Sequence, residues 1–212
     1  MELFHGSPDI VETPQIALCK KHNDYGPGFY CTLSKELACE WACKVRGRDG
    51  FVNRYRLREE GLVYLDLEQE PYTVCNWLAL LFAHRTFDCS VNRGYLEGFI
   101  DKYGVNLEGV DVVHGYRADD SYFSIAKGFV NGMFTIEHVE QMLHLGHLGT
   151  QVVLVSQAAF DCLDFEDVEM CQARVWYPLW MGRDMSARAE FQKMASSGEG
   201  STGHRIYDLV EM

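Results

Sequence analysis

Apolar and aromatic side chains at Leu3-Phe4-His5, followed by Gly6-Ser7-Pro8, predict a short strand that runs into a turn. A second turn cluster, Asp24-Tyr25-Gly26-Pro27-Gly28, precedes the strand pattern Phe29-Tyr30-Cys31. From Ser34, an N-cap residue type, Leu37, Ala38, Trp41, Ala42 and Val45 recur at helical spacing and predict one buried helix face. Phe51, Asn53, Tyr55 and Leu57 then alternate with Val52, Arg54 and Arg56, and a charged turn leads into Gly61-Leu-Val-Tyr-Leu-Asp-Leu67. These two runs predict strands paired as a hairpin.

Helical patterns follow over residues 76–85 and 94–103, and residues 110–114 predict a brief strand. Asp120 or Ser121 is placed to cap a helix through about Val130, and Thr135 to cap another whose Ile136, Val139 and Leu143 face inward. Gln151-Val-Val-Leu-Val-Ser156 is the most β-branched strand pattern in the chain. A last helix is expected over about 184–194, before a Gly/Ser-rich stretch at 195–203 and a short terminal segment at 206–209. Strands in runs, with helices clustered between them and no regular β-α-β alternation, predict the α+β class.

Composition narrows the setting. The 212 residues are 47% hydrophobic and 24% charged, values of a chain that folds, and they predict a single domain over 1–212. The longest apolar run, Trp77-Leu-Ala-Leu-Leu-Phe-Ala83, is far short of the roughly 20 residues a bilayer span needs, and the start lacks the parts of a secretory signal. No membrane partner is expected. The eight cysteines include no C-x-x-C pair and fit buried thiols of a reducing, cytoplasmic setting. Cys39-x-x-x-Cys43 and His144-x-x-His147 lack companions at zinc-site spacing, so no metal is expected. A formal net charge of −12 disfavours nucleic acid as a partner.

Phosphate-loop, dinucleotide-fold and zinc-protease motifs are all missing from the sequence. What remains is a set of strand-borne positions: His5 followed by Gly6, Tyr30, and Gln151 at the head of the Val-rich strand. Singly, each also reads as packing or as a satisfied polar group. Gly115-Tyr116-Arg117-Ala118-Asp119-Asp120 also reads as a turn in which Arg117 pairs with an aspartate and Asp120 caps the next helix.

In order, however, F-H-G-S, D-Y-G-P-G-F-Y-C-T with its following Ala/Trp helix, and the strand-opening Gln resemble the H-Y-[EQ] signature of the diphtheria-toxin-like ADP-ribosyltransferases, the group that includes the poly(ADP-ribose) polymerases. Asn76-Trp77-Leu78, His84-Arg85 and the G-Y-R-A-D-D run more closely resemble an uncharacterised bacterial family of unknown function classed within that superfamily. The likeness covers roughly 2–165 and leaves 166–212 as a helical and aromatic extension.

The resemblance implies a split β-sheet that clamps NAD+ as co-substrate. It implies His5, Tyr30 and Gln151 as catalytic residues, with His5 on a ribose hydroxyl, Tyr30 stacked on nicotinamide and Gln151 orienting the neighbouring hydroxyl. Gly6, without a Cβ, would let its backbone approach the carboxamide, and Tyr25 or Trp41 would add an aromatic wall. Arg117 would bind the pyrophosphate, and Asp119 or Asp120 would serve as base or orient the acceptor. Gln151 stands where the best-studied members carry Glu, which favours single transfer over chain elongation. The expected function is mono-ADP-ribosylation of a protein or small-molecule acceptor, by a toxin or effector restrained by an inhibitory partner protein. The rivals are an NAD+ glycohydrolase and an inactive module that binds NAD+, ADP-ribose or another protein.

Overall fold

The computed structural model describes residues 1–86, 93–118, 120–145, 149–196 and 203–211. In chain order the elements are β1 (Glu2–Ser7), β2 (Phe29–Cys31), α1 (Lys35–Ala42), β3 (Gly50–Leu57), β4 (Tyr64–Asp66), α2 (Val74–His84) and α3 (Arg93–Tyr103). They continue with β5 (Val112–Tyr116), α4 (Asp120–Val130), α5 (Ile136–Leu145), β6 (Thr150–Leu154), α6 (Gln157–Asp161), β7 (Leu163–Cys171), α7 (Ala173–Ser196) and α8 (Ile206–Glu211). The fold is α+β, as expected, and its strands form two open sheets.

The first sheet has the order β1-β3-β7 and is antiparallel throughout; the second has the order β2-β6-β5-β4, with only the β4–β5 pair parallel. Among the described residues one isolated bridge joins the backbones of the two sheets, where Phe4 and Thr32 exchange N–H···O bonds of 2.9 Å. Leu3, Tyr55 and Leu57 of the first sheet bury against Phe29, Val112, Val152 and Leu154 of the second. Beyond the second sheet, α2 carries Trp77, Leu78 and Leu81 into the largest core, which Phe99, Phe129, Val139 and the C-terminal Ile206 and Leu209 complete. Apolar burial on both faces of the second sheet fixes its position between these two cores.

α1 forms as its sequence predicts. Ser34 Oγ accepts the Leu37 N–H at 3.2 Å, and Leu37, Ala38 and Ala42 are buried. The helix stops at Ala42, however, and Val45 beyond it is 57% exposed rather than part of the buried face. The small Ala38 and Ala42 let α1 lie directly on the first sheet. A Cβ on Gly6 would fall 1.8 Å from the Ala38 carbonyl oxygen, and one on Gly50 2.3 Å from that of Ala42.

Three other expectations are corrected. The β3–β4 hairpin does not form: both edges of β3 are taken, by β1 and β7, so the next run joins the second sheet beside β5. Nor is the stretch after residue 165 helical from its start. β7 crosses that position and pairs with β3 as far as Cys171 opposite Gly50, while Ile206 and Leu209 belong to the largest core. The expected helix at 184–194 is the end of the longer α7, which begins where the Ala173 N–H is capped by Asp49 Oδ1 at 2.7 Å and continues through Pro178. No described helix is long and apolar enough to cross a membrane.

Candidate functional site

Beside the Phe4–Thr32 contact the sheets diverge and leave a cleft of about 670 Å³, lined by His5, Tyr30, Trp41, Arg117 and Gln151 together with Asp24 and Arg85. Strand ends and loops from distant parts of the chain therefore meet at one seam. The expected residues His5, Gly6, Tyr30, Arg117 and Gln151 are brought together there.

His5 bridges the seam. Its Nδ1 lies 2.7 Å from the Tyr30 carbonyl oxygen, which can only accept, so Nδ1 carries the proton and Nε2 is left as an acceptor. Burial lowers the imidazole pKa from its ordinary value, against the opposing pull of that carbonyl, and the ring packs at a 33° tilt against that of Phe29, centroids 4.4 Å apart. Gly6 lines the cleft next to it. Its missing Cβ is required by the α1 backbone behind it.

Tyr30 and Tyr25 have different placements. The Tyr30 hydroxyl donates to the Gly26 carbonyl at 2.7 Å and accepts the Tyr25 N–H at 3.0 Å, closing the turn between them. Gly26 adopts φ 78°, a conformation that favours glycine. The Tyr30 ring remains in the cleft wall, and burial raises its phenol pKa. Tyr25, by contrast, is 1% exposed, sits in the largest core and donates its hydroxyl to the Tyr116 carbonyl at 2.6 Å. A fully enclosed ring cannot stack on a ligand, so the expectation of Tyr25 as an aromatic wall is corrected. Trp41, its alternative, does line the cleft.

Gln151 is 3% exposed, and its amide nitrogen donates to Asp24 Oδ2 at 3.2 Å and to the Tyr116 carbonyl at 3.3 Å. Asp24, 7% exposed, also accepts the Ala118 N–H at 3.1 Å on Oδ2 and faces Arg85 Nε at 3.3 Å from Oδ1. Burial raises the Asp24 carboxyl pKa from its ordinary value; Arg85, the Gln151 amide, the Ala118 N–H and Arg117 pull the other way. The Arg117 guanidinium lies 4.8 Å from the Trp41 ring centroid, a cation–π contact at the cleft wall. The Trp41 indole N–H is buried with no hydrogen-bond partner among the described residues.

Sequence reasoning missed Asp24 and Arg85. An aspartate in a Gly/Pro turn looks like ordinary turn chemistry, and an arginine after a helix like an ordinary C-terminal charge. The expected base candidates were Asp119 and Asp120. Asp119 lies outside the described residues; Asp120 opens α4, and its side chain lies outside them as well.

His147 and the side chain of His144 are likewise outside the described residues. Asp66, Glu68 and His114, away from the cleft lining, offer possible ligand atoms within 4.8 Å of one another. Both imidazole nitrogens are already engaged, Nδ1 with Asp66 at 3.0 Å and Nε2 with Thr150 at 3.1 Å, so the set is a hydrogen-bonded cluster at the β4–β5 edge.

No curated protein and no solved structure matches the chain. One family model does, over residues 1–165, and the chain therefore belongs to the family described as Protein of unknown function (DUF3990).

Proposed function

We propose that the protein is an NAD+-dependent mono-ADP-ribosyltransferase, which breaks the nicotinamide–ribose bond and passes ADP-ribose to a protein or small-molecule acceptor. The observation that carries this reading is the convergence of His5, Tyr30 and Gln151 on one cleft of about 670 Å³. That volume falls within the roughly 300–1,000 Å³ of ordinary ligand pockets. Arg85, Arg117, Lys20 and Lys44 also line the cleft of a chain whose formal net charge is −12, a local reversal of sign that suits a pyrophosphate.

Each wall has a chemical task. His5 Nε2 accepts a ribose hydroxyl hydrogen, the Tyr30 ring shelters nicotinamide, and Arg117 on Trp41 holds phosphate oxygens. Bond cleavage sends the electron pair to the nicotinamide nitrogen and leaves oxocarbenium character on the ribose carbon. An acceptor O–H, N–H or S–H group then adds there and releases its proton. The free thiols at every described cysteine suit a reducing, cytoplasmic setting for this activity.

The test is nicotinamide release from NAD+ by the purified chain, with cell lysate as a source of acceptors, beside folded His5→Ala and Gln151→Ala variants. Release that falls about 10²-fold in each variant is expected. No release by the wild type, or equal release by all three proteins, would overturn the reading. Free ADP-ribose as the sole product, whatever acceptor is supplied, would assign hydrolysis in place of transfer.

A further inference from the structure

Gln151 raises a problem for its own role. A neutral amide can present either its oxygen or its nitrogen to a ribose hydroxyl, and it brings no charge to a cationic reaction centre. Asp24 removes the ambiguity. The Gln151 nitrogen faces two acceptors, Asp24 Oδ2 at 3.2 Å and the Tyr116 carbonyl at 3.3 Å. Turning the amide over would set its oxygen against both of them. The amide oxygen is thereby directed away from Asp24, free to accept a hydroxyl hydrogen.

Asp24 is also the one carboxylate among the described residues lining the cleft. Its own place is fixed by the Ala118 N–H at 3.1 Å and by Arg85 at 3.3 Å, so it joins the turn before β2, the segment after β5, the end of α2 and the head of β6.

We propose that Asp24 is a positioning residue for NAD+ cleavage: it orients the Gln151 amide and, through it, supplies the negative potential that the cationic ribose requires. The inference rests on the NAD+-cleaving function proposed above and concerns how that same site works. The amide and the carboxylate act as one pair, with the amide toward the substrate and the charge behind it. The positioning role predicts an effect on turnover rather than on binding, because developing positive charge exists only in the transition state.

The experiment compares wild type, D24N, Q151E and D24N/Q151E by kcat and KM for nicotinamide release, with melting curves to establish folding. D24N is expected to lower kcat about 10²-fold while KM for NAD+ stays within about threefold. Q151E sets two carboxylates side by side and is expected to lower kcat as well. The double variant, in which carboxylate and amide have changed places, is expected to turn over at least about tenfold faster than either single variant. A merely structural role for Asp24 would give no such recovery.

D24N at the wild-type kcat, or a double variant no faster than the singles, overturns the proposal while wild-type turnover leaves the NAD+-cleaving function standing. A wild type without turnover overturns that function, and the proposal with it. If D24N does not fold, Q151E against D24N/Q151E decides alone: recovery supports the pair, and its absence overturns it.

Discussion

The two walls of the cleft are built by different physics. On the β1 and α1 side, Gly6 lies against Ala38 of α1, as Gly50 behind the cleft does against Ala42, with backbone against backbone and no room for a methyl group. On the other side, Asp24, Gln151 and Arg85 are held by a hydrogen bond and an ion pair, and Arg117 by a cation–π contact that reaches Trp41 of α1. The first wall is held by a steric fit that gains from burial. The second buries charge, which costs free energy unless each group is compensated. A rigid wall facing a charged one gives a site that can hold a ligand in a fixed pose and still act on it electrostatically.

The largest effect should come from adding one carbon to the packed wall. Gly6→Ala drives a Cβ to 1.8 Å from the Ala38 carbonyl oxygen, and backbone cannot yield as a flexible side chain would. We expect a loss of about 3 kcal/mol or more, which for a chain of this size lowers Tm by roughly 6–12 °C. The matched control is Gly182→Ala in the exposed part of α7, where a Cβ meets nothing within 4 Å. There the same change should stabilise by about 0.5–1 kcal/mol. Calorimetry showing Gly6→Ala as stable as the control would end the distinction between the walls.

The packed wall was the more legible of the two. α1 announces itself through the Ser34 cap and the spacing of Leu37, Ala38 and Ala42, and each of these is local information. β7 was hidden because its register shifts opposite Arg54 and Tyr55, which breaks the alternation that marks a strand, and because acidic residues fill its outer positions. The false β3–β4 hairpin arose from reading adjacency in sequence as adjacency in the sheet; only the long-range pairing of β7 shows that β3 has no edge to offer. Asp24 and Tyr25 were misjudged for one reason: a turn of Asp, Tyr, Gly and Pro looks the same whether its side chains point to water or into a core. His5, Tyr30 and Gln151 became visible as a set only through a resemblance, since none of them is distinctive by itself.

A middle-sized effect should separate charge from shape on the polar wall. Arg117→Lys keeps the positive charge but loses the planar group that lies 4.8 Å from the Trp41 ring centroid. If Arg117 binds pyrophosphate, NAD+ affinity should fall about tenfold in titration calorimetry while Tm changes by no more than a few degrees. An unchanged Kd would remove Arg117 from the binding site and leave it as a packing residue.

The smallest effect is a pH signature in which the walls oppose each other. Burial lowers the pKa of His5, whose ring faces the Tyr30 carbonyl and Phe29, and raises that of Asp24, which faces Arg85, Arg117, Tyr25 and Tyr30. For His5 the unfolded chain binds the proton more readily, so its contribution is complete above about pH 6.5 and is lost as pH falls below that value. For Asp24 the folded chain binds the proton more readily, so stability is gained as pH falls through the window between its raised pKa and the ordinary value near 3.9. In the wild type the two contributions oppose each other as pH falls. Melting temperatures measured from pH 8 to pH 4 should therefore decline less steeply in His5→Gln than in wild type, and more steeply in Asp24→Asn. Parallel curves for the three proteins would mean that neither wall carries its charge in the way the cleft geometry requires.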